Sequence, residues 1–247
     1  MNRRKFSGKF FTLLFTTTFV GKLLHRRASA DTKGYDPSKH YYGMGIQIDK
    51  CIGCGRCVEA CKEENGVPKE PFFFRTWVER YIIKRNGEVN VRSIDGRISG
   101  RDREIEETEI LRSFFVPKLC NQCDNPPCVQ VCPVGATFKT EDGVILVDED
   151  RCIGCRYCIQ ACPYGARYLH PEKQTADKCT FCYHRITKGL LPACVEVCPT
   201  QARIFGDSKS PASPLTRFKR MNKIHVLKPS LNTDPKVLYS ELDGEVR

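Results

Sequence analysis

Residues 152–163 read CIGCRYCIQACP, four cysteines (Cys152, Cys155, Cys158, Cys162) in eleven residues and then Pro163. The crowding recurs at Cys51–Cys61, CIGCGRCVEAC, and all 16 cysteines of the 247-residue chain fall into four groups of four. Cysteines used as small core hydrophobes would be scattered; these are ligands. Three chemistries crowd thiols this tightly: a disulfide framework, a zinc site and an iron–sulfur cluster. Hydrophobic residues make up 40% and charged residues 28%, a globular balance in a chain long enough for one large domain or two small ones.

Spacing separates the three. The patterns are Cys51-x2-Cys54-x2-Cys57-x3-Cys61; Cys120-x2-Cys123-x4-Cys128-x3-Cys132-Pro133; Cys152-x2-Cys155-x2-Cys158-x3-Cys162-Pro163; and Cys179-x2-Cys182-x11-Cys194-x3-Cys198-Pro199. Zinc sites use two separated cysteine pairs, or cysteines with histidines, and leave the third cysteine and the Cys-Pro ending unexplained. Intervals of two, two and three before a proline are the arrangement of bacterial [4Fe–4S] ferredoxins. Three thiolates wrap one cube in a tight loop, where Gly53, Gly55 and Gly154 permit the turns. The last cysteine is expected at the start of a helix, ligating the other cluster of a pair, with proline in the first helical turn. Cys61 departs from this, being followed by Lys62. No Cys-x-x-Cys-His occurs, so covalent haem has no support.

Crossed ligation requires clusters in twos. Between Cys132 and Cys152, the turn Asp142-Gly143 and the strand-like Val144–Val147 form the connection of a two-cluster ferredoxin. The second and third patterns therefore form one inner module, 117–175. There Cys132 joins Cys152, Cys155 and Cys158, and Cys162 joins Cys120, Cys123 and Cys128. The first and fourth patterns are left to pair as an outer module, 42–70 plus 176–207. In it Cys61 joins Cys179, Cys182 and Cys194, and Cys198 joins Cys51, Cys54 and Cys57. The rival is sequential pairing, first with second and third with fourth.

Residues 71–116 carry no cysteine and read as a β-rich insertion, with Thr76–Ile83 and Glu88–Ile94 flanking the hairpin signal Asn86-Gly87 and Ile110–Val116 returning toward Cys120. Trp77, Tyr81 and Phe72–Phe74 suit a core or a partner contact better than cofactor stacking. After Cys198, PTQARIFGD reads as a short helix and strand, and 214–222 as one helix. The 208–247 segment ends in an extended tail with too little periodicity to pack alone, expected to lie along the body or a partner. The fold class is α+β: two nested ferredoxin modules, an inserted β-hairpin region and an extended C-terminal tail.

The net charge of +11 suggests nucleic acid or a membrane surface until it is located. Residues 1–30 hold seven basic residues and no acid; without them 33 Lys+Arg face 29 Asp+Glu. Four oxidised clusters at about −2 each would turn that body slightly acidic. The leader has the pair Arg3-Arg4, an apolar run from Phe10 to Gly21 too short to span a membrane, and Ala28-Ser29-Ala30, a cleavage signal placing the mature start at Asp31. It reads as a twin-arginine export signal, against the alternative of a basic amphipathic surface helix. That route carries cofactor-loaded proteins already folded, which reconciles export with 16 reduced cysteines.

Catalytic sets are absent from the pattern. His25, His40, His170, His184 and His225 are scattered, and no phosphate-binding glycine loop occurs. His184, beside Cys182, is expected to hydrogen-bond near a cluster and tune its potential. With four cysteines for each cluster no iron is left open to substrate, which suits an electron carrier rather than an enzyme.

The four patterns, the x11 interval in CTFCYHRITKGLLPACVEVCP, the insertion and the VLKPSLNTDPKVLY tail together resemble the four-cluster iron–sulfur (beta) subunits of membrane-bound oxidoreductases. That family serves dimethyl sulfoxide, polysulfide, thiosulfate and tetrathionate reductases and includes NrfC- and DsrO-like proteins. The resemblance implies nested pairing, four [4Fe–4S] clusters, and single-electron relay between a quinone-reactive NrfD-type membrane subunit and a catalytic or multihaem cytochrome partner. It also implies an anaerobic respiratory complex, of sulfur-compound or Dsr type, on the outer face of the cytoplasmic membrane. A free-standing soluble polyferredoxin is the alternative function; reduction of a small molecule at a cluster is a weaker third.

Overall fold

Strand β1, Tyr42–Gln47, is the hub of the fold, with Met44 and Ile46 fully buried. The computed structural model describes residues 34–69, 73–93 and 107–246. The expected leader at 1–30, Phe72, and 94–106 of the insertion lie outside the described residues. The chain divides into Met1–Tyr35 and Asp36–Arg247, and every element below belongs to the second unit. After β1 come α1 (Arg56–Asn65), β2 (Thr76–Lys84), β3 (Val89–Ser93), β4 (Ile110–Leu119), α2 (Pro127–Gln130), β5 (Thr137–Lys139), β6 (Ile145–Val147), α3 (Tyr157–Gln160), β7 (Arg167–Leu169), β8 (Ala176–Lys178), α4 (Tyr183–Ile186), α5 (Ala193–Glu196), β9 (Arg203–Asp207), α6 (Pro214–Met221) and β10 (Val237–Ser240).

One sheet has the order β10-β1-β9, with β1 antiparallel to β9 and parallel to β10. Helix α6, capped by Ser213 and opened by Pro214, lays Leu215 and Phe218 on this sheet. The glycine in Met44-Gly45-Ile46 is required by that approach: a Cβ on Gly45 would stand 2.6 Å from the Phe218 ring. The tail therefore lies along the body over Val237–Ser240. Its weak periodicity has a physical reason, because a parallel strand covered on both faces needs no polar alternation. Tyr239 is fully buried, and its hydroxyl donates to the Pro117 carbonyl at 3.1 Å.

The insertion forms the sheet β3-β2-β4. Gly87 takes φ +86 at the β2–β3 turn, and the Asn86 side chain accepts the Glu88 amide at 2.9 Å, as Asn-Gly predicts. Tyr81 is buried and stacks on Phe114 at 5.5 Å, so it belongs to the core, while Trp77 is half-buried. Strand β4 enters the interior at Val116–Leu119 and delivers Cys120 there.

The x3 intervals correct one expectation. Cys132, Cys162 and Cys198 do not start helices. Each follows a four-residue helix (α2, α3, α5) that carries the preceding cysteine. The proline after each disfavours helical conformation at the cysteine, so the helix stops there. At the first pattern Lys62 stands in the proline's place, and α1 runs on for 10 residues with both Cys57 and Cys61 in it. Pro199 and Thr200 form a turn, not the expected helix, before β9.

Candidate metal centres

Each cluster loop turns on one backbone state. The residue before the second cysteine is left-handed in all four patterns: Gly53 (φ +70), Gln122 (+48), Gly154 (+67) and Phe181 (+54). Glycine adopts this freely, whereas a side chain costs on the order of 1 kcal/mol or more. Gln122 and Phe181 are held by their surroundings. The Gln122 carboxamide donates to the Cys179 carbonyl at 2.6 Å and accepts the Ile145 amide at 2.7 Å. Phe181, 1% exposed, packs edge-on against Phe205. Sequence reasoning missed both, because only the glycines advertise the turn.

Three pockets gather cysteines distant in sequence. Cys51, Cys54, Cys57 and Cys198 line the first, with Val78 and Arg203. Cys61, Cys179, Cys182 and Cys194 line the second, with Asn65 and Arg75. The third is lined by Cys120, Cys123, Cys128 and Cys162, with Asn121 and Arg167. Of the remaining four, Cys158 and the partly buried Cys152 pack together against Ile145 and Ala176. Cys132 accepts the Thr137 amide at 3.5 Å, and Cys155 is exposed. Burial is graded across the sets: all four cysteines of the second are buried, whereas Cys54 in the first and Cys155 in the last are exposed.

Four-iron cubes fit these sites on donor set and on charge. Each of the three pockets is lined by four thiols, the complement that one [4Fe–4S] cluster takes. Polar hydrogens point at the sulfurs: Ala176 N–H to Cys152 at 3.4 Å, Phe181 N–H to Cys179 at 3.4 Å, and the Asn65 amide to Cys61 and Cys182 at 3.6 Å each. Three cations are buried among them, Lys178 (1% exposed), Arg203 (2%) and Arg167 (5%). Among the described residues, their hydrogen bonds run to carbonyls, threonine hydroxyls and cysteine sulfurs, with no carboxylate among them. Buried charge without counter-charge costs several kcal/mol, and an anionic thiolate-held cluster supplies it. The Asn121 carboxamide in the third pocket and the Arg203 Nε are likewise buried without a partner among the described residues.

Burial pushes the thiols up: Cys123 to about 12, Cys194 to about 11, and Cys179 further still. Cys132 goes the other way. Burial raises it, but the backbone amides of Thr137, Val134 and Ala136 outweigh that and hold it below the ordinary thiol value. His184 hydrogen-bonds beside the second cysteine set, as expected, but through a carboxylate. Its ring is half exposed and bonds Glu64 at 2.6 Å rather than a sulfur. The side chains that reach sulfur include Arg167, Arg203 and Asn65, none of which the cysteine spacing singles out.

Two family models, each describing a 4Fe-4S dicluster domain, match residues 111–208 and 50–136. A tetrathionate reductase subunit of Salmonella typhimurium is 47% identical over 207 residues, covering 83% of this chain and 74% of the relative. Protein NrfC of Escherichia coli K12 is 39% identical, covering 79% and 78%. The Hdr-like menaquinol oxidoreductase iron–sulfur subunit 1 of Archaeoglobus fulgidus is 33% identical, covering 99% and 100%.

Proposed function

The chain belongs to the family of 4Fe-4S dicluster iron–sulfur subunits of oxidoreductase complexes, with four [4Fe–4S] clusters in its two dicluster domains, and from that premise we propose how it relays electrons. The clusters are held by Cys51, Cys54, Cys57 and Cys198; by Cys61, Cys179, Cys182 and Cys194; by Cys120, Cys123, Cys128 and Cys162; and by Cys132, Cys152, Cys155 and Cys158. The modules are nested: 117–175 lies within the chain span of 42–70 plus 176–207. A bound cluster accepts and returns one electron. The chain's own residues hold the sulfurs, exclude water and supply compensating charge.

The observation that carries a relay is the grading of burial. Exposed Cys54 and Cys155, beside Ile52 at 59% and Ile153 at 65% exposed, open the first and last sets to the surface. The second set is closed, and the third holds three buried cysteines. Gln122 couples these inner sets through its bond to the Cys179 carbonyl. Electrons enter at one open set, pass two shielded ones and leave at the other. No helix among the described residues is long and apolar enough to cross a membrane. The membrane partner is accordingly a separate quinone-reactive subunit of the NrfD type, and the other partner a catalytic or multihaem cytochrome subunit. The leader sends the chain by the twin-arginine route to the outer face of the cytoplasmic membrane, in anaerobic respiration of sulfur compounds or a related substrate.

Anaerobic purification from native membranes tests this reading. About sixteen irons per chain together with an integral membrane partner is the expected result. A loaded monomer recovered alone from the soluble fraction would instead favour a diffusing polyferredoxin.

A further inference from the structure

Two patterns end in one frame: Cys162-Pro-Tyr-Gly-Ala-Arg167 and Cys198-Pro-Thr-Gln-Ala-Arg203. Each arginine opens a strand, β7 or β9, and is buried. Arg167 donates through Nη2 to Cys128 Sγ at 3.1 Å and through Nη1 to Thr137 Oγ1 at 3.3 Å. Arg203 donates through Nη1 to Cys194 Sγ at 3.7 Å and through Nη2 to Thr76 Oγ1 at 2.8 Å. The stations are equivalent, one sulfur and one threonine hydroxyl each. The second pattern ends Cys132-Pro-Val-Gly-Ala-Thr137, so its frame supplies the threonine that Arg167 grips, and each module holds one such arginine.

Each guanidinium stands where two cysteine sets meet. Arg203 bonds Cys194 of the second set and lines the pocket of Cys51, Cys54, Cys57 and Cys198. Arg167 bonds Cys128 of the third set, and Cys128 packs in one buried cluster with Cys158 of the last set. Guanidinium does not release its proton in proteins, so the charge is permanent.

We propose that Arg167 and Arg203 are the potential-setting residues of the two cluster pairs, each a fixed positive charge shared between the two members of its pair. This rests on the ligand sets proposed above. One electron enters a cluster and one leaves; no bond is made or broken and no proton moves. Each reduction makes a cluster one unit more negative, in an interior where charge interactions are strong. A cation shared by both members stabilises whichever is reduced, which raises both potentials together and keeps the step between them nearly level.

The test is a redox titration of the full loaded chain, followed by electron paramagnetic resonance. Wild-type protein is compared with Arg167→Gln, Arg203→Gln and the matching Lys variants. Arg167→Gln is expected to lower two of the four potentials at least tenfold in the reduced-to-oxidised ratio, about 59 mV for a one-electron couple. Arg203→Gln lowers the other two, and both Lys variants leave all four within that margin. Loaded Gln variants with unmoved potentials, or with all four moved alike, overturn the proposal. Should a Gln variant lose a cluster, its Lys variant decides. Full iron with wild-type potentials supports a role for charge, whereas loss of the same cluster shows that the fork's shape mattered. A wild-type chain with fewer than four clusters would fault the ligand sets before any arginine variant is read.

Discussion

Asp124 ties three parts of the chain at one carboxylate. It accepts from the Tyr41 hydroxyl, from Lys139 at 2.8 Å and from Lys236 at 3.3 Å, joining the approach to β1, the inner module and the tail. Burial raises its pKa, but the bonds from Lys139 and Tyr41 outweigh that and hold it below the ordinary 3.8. A depressed folded value means its stabilisation is present above 3.8 and is lost as pH falls through the folded value. Asp124→Asn should therefore cost about 1–2 kcal/mol near neutrality. In urea unfolding of the loaded protein, that gap should close as the pH drops below 3.8. At Gly45 the limit is space. Gly45→Ala drives a methyl into Phe218 and should cost about 1–3 kcal/mol, read as a lower thermal midpoint, with partial recovery in Gly45→Ala/Phe218→Leu. Residue chemistry was legible wherever the residue type is itself the function, as with the 16 cysteines. It was not legible for Lys178, because a basic side chain looks the same in sequence whether it faces water or a ring of sulfurs; Arg167 and Arg203 share a frame after Cys-Pro, but the frame does not say what the side chain faces.

The helices show a sequence rule with a local cause. Cys-Pro ends three of them after four residues, and its absence at Lys62 lets α1 continue. The hairpin at Asn86-Gly87 is equally local. The last strand is different. Nothing inside Val237–Ser240 says that it pairs in parallel with β1, since that depends on an edge supplied far upstream. Ending the chain before Val237 would bare that edge and remove the fully buried Val237 and Tyr239. Such a truncation is expected to yield protein with depleted iron and a marked loss of thermal stability. Tyr239→Phe is the milder probe. It leaves the Pro117 carbonyl without its donor, at about 1–3 kcal/mol, and should load fully; a fall in iron content would show that the hydroxyl serves the cluster sites as well.

Across the whole molecule, the question is which cysteines share a cluster. Under nested ligation Cys61 and Cys179 serve one cube, so Cys61→Ser/Cys179→Ser should lose no more iron than either single variant. Under sequential ligation they serve different cubes, and the losses add. Iron per chain with spin counting distinguishes the two. The sequence by itself determined the chemistry: thiol number, x2 and x3 intervals and turn residues act within a few bonds of one another, so they survive in one dimension. It also set the short helices and the hairpin, for the same reason. The pairing of Cys198 with Cys51, Cys54 and Cys57 was expected from the order of the patterns, and the four line one pocket. Only the tertiary structure put among the sulfurs cations that bond no carboxylate of the described residues, and closed the first sheet with the tail. Those outcomes depend on packing between segments far apart in the chain, where burial and charge compensation decide, and no spacing or periodicity records either.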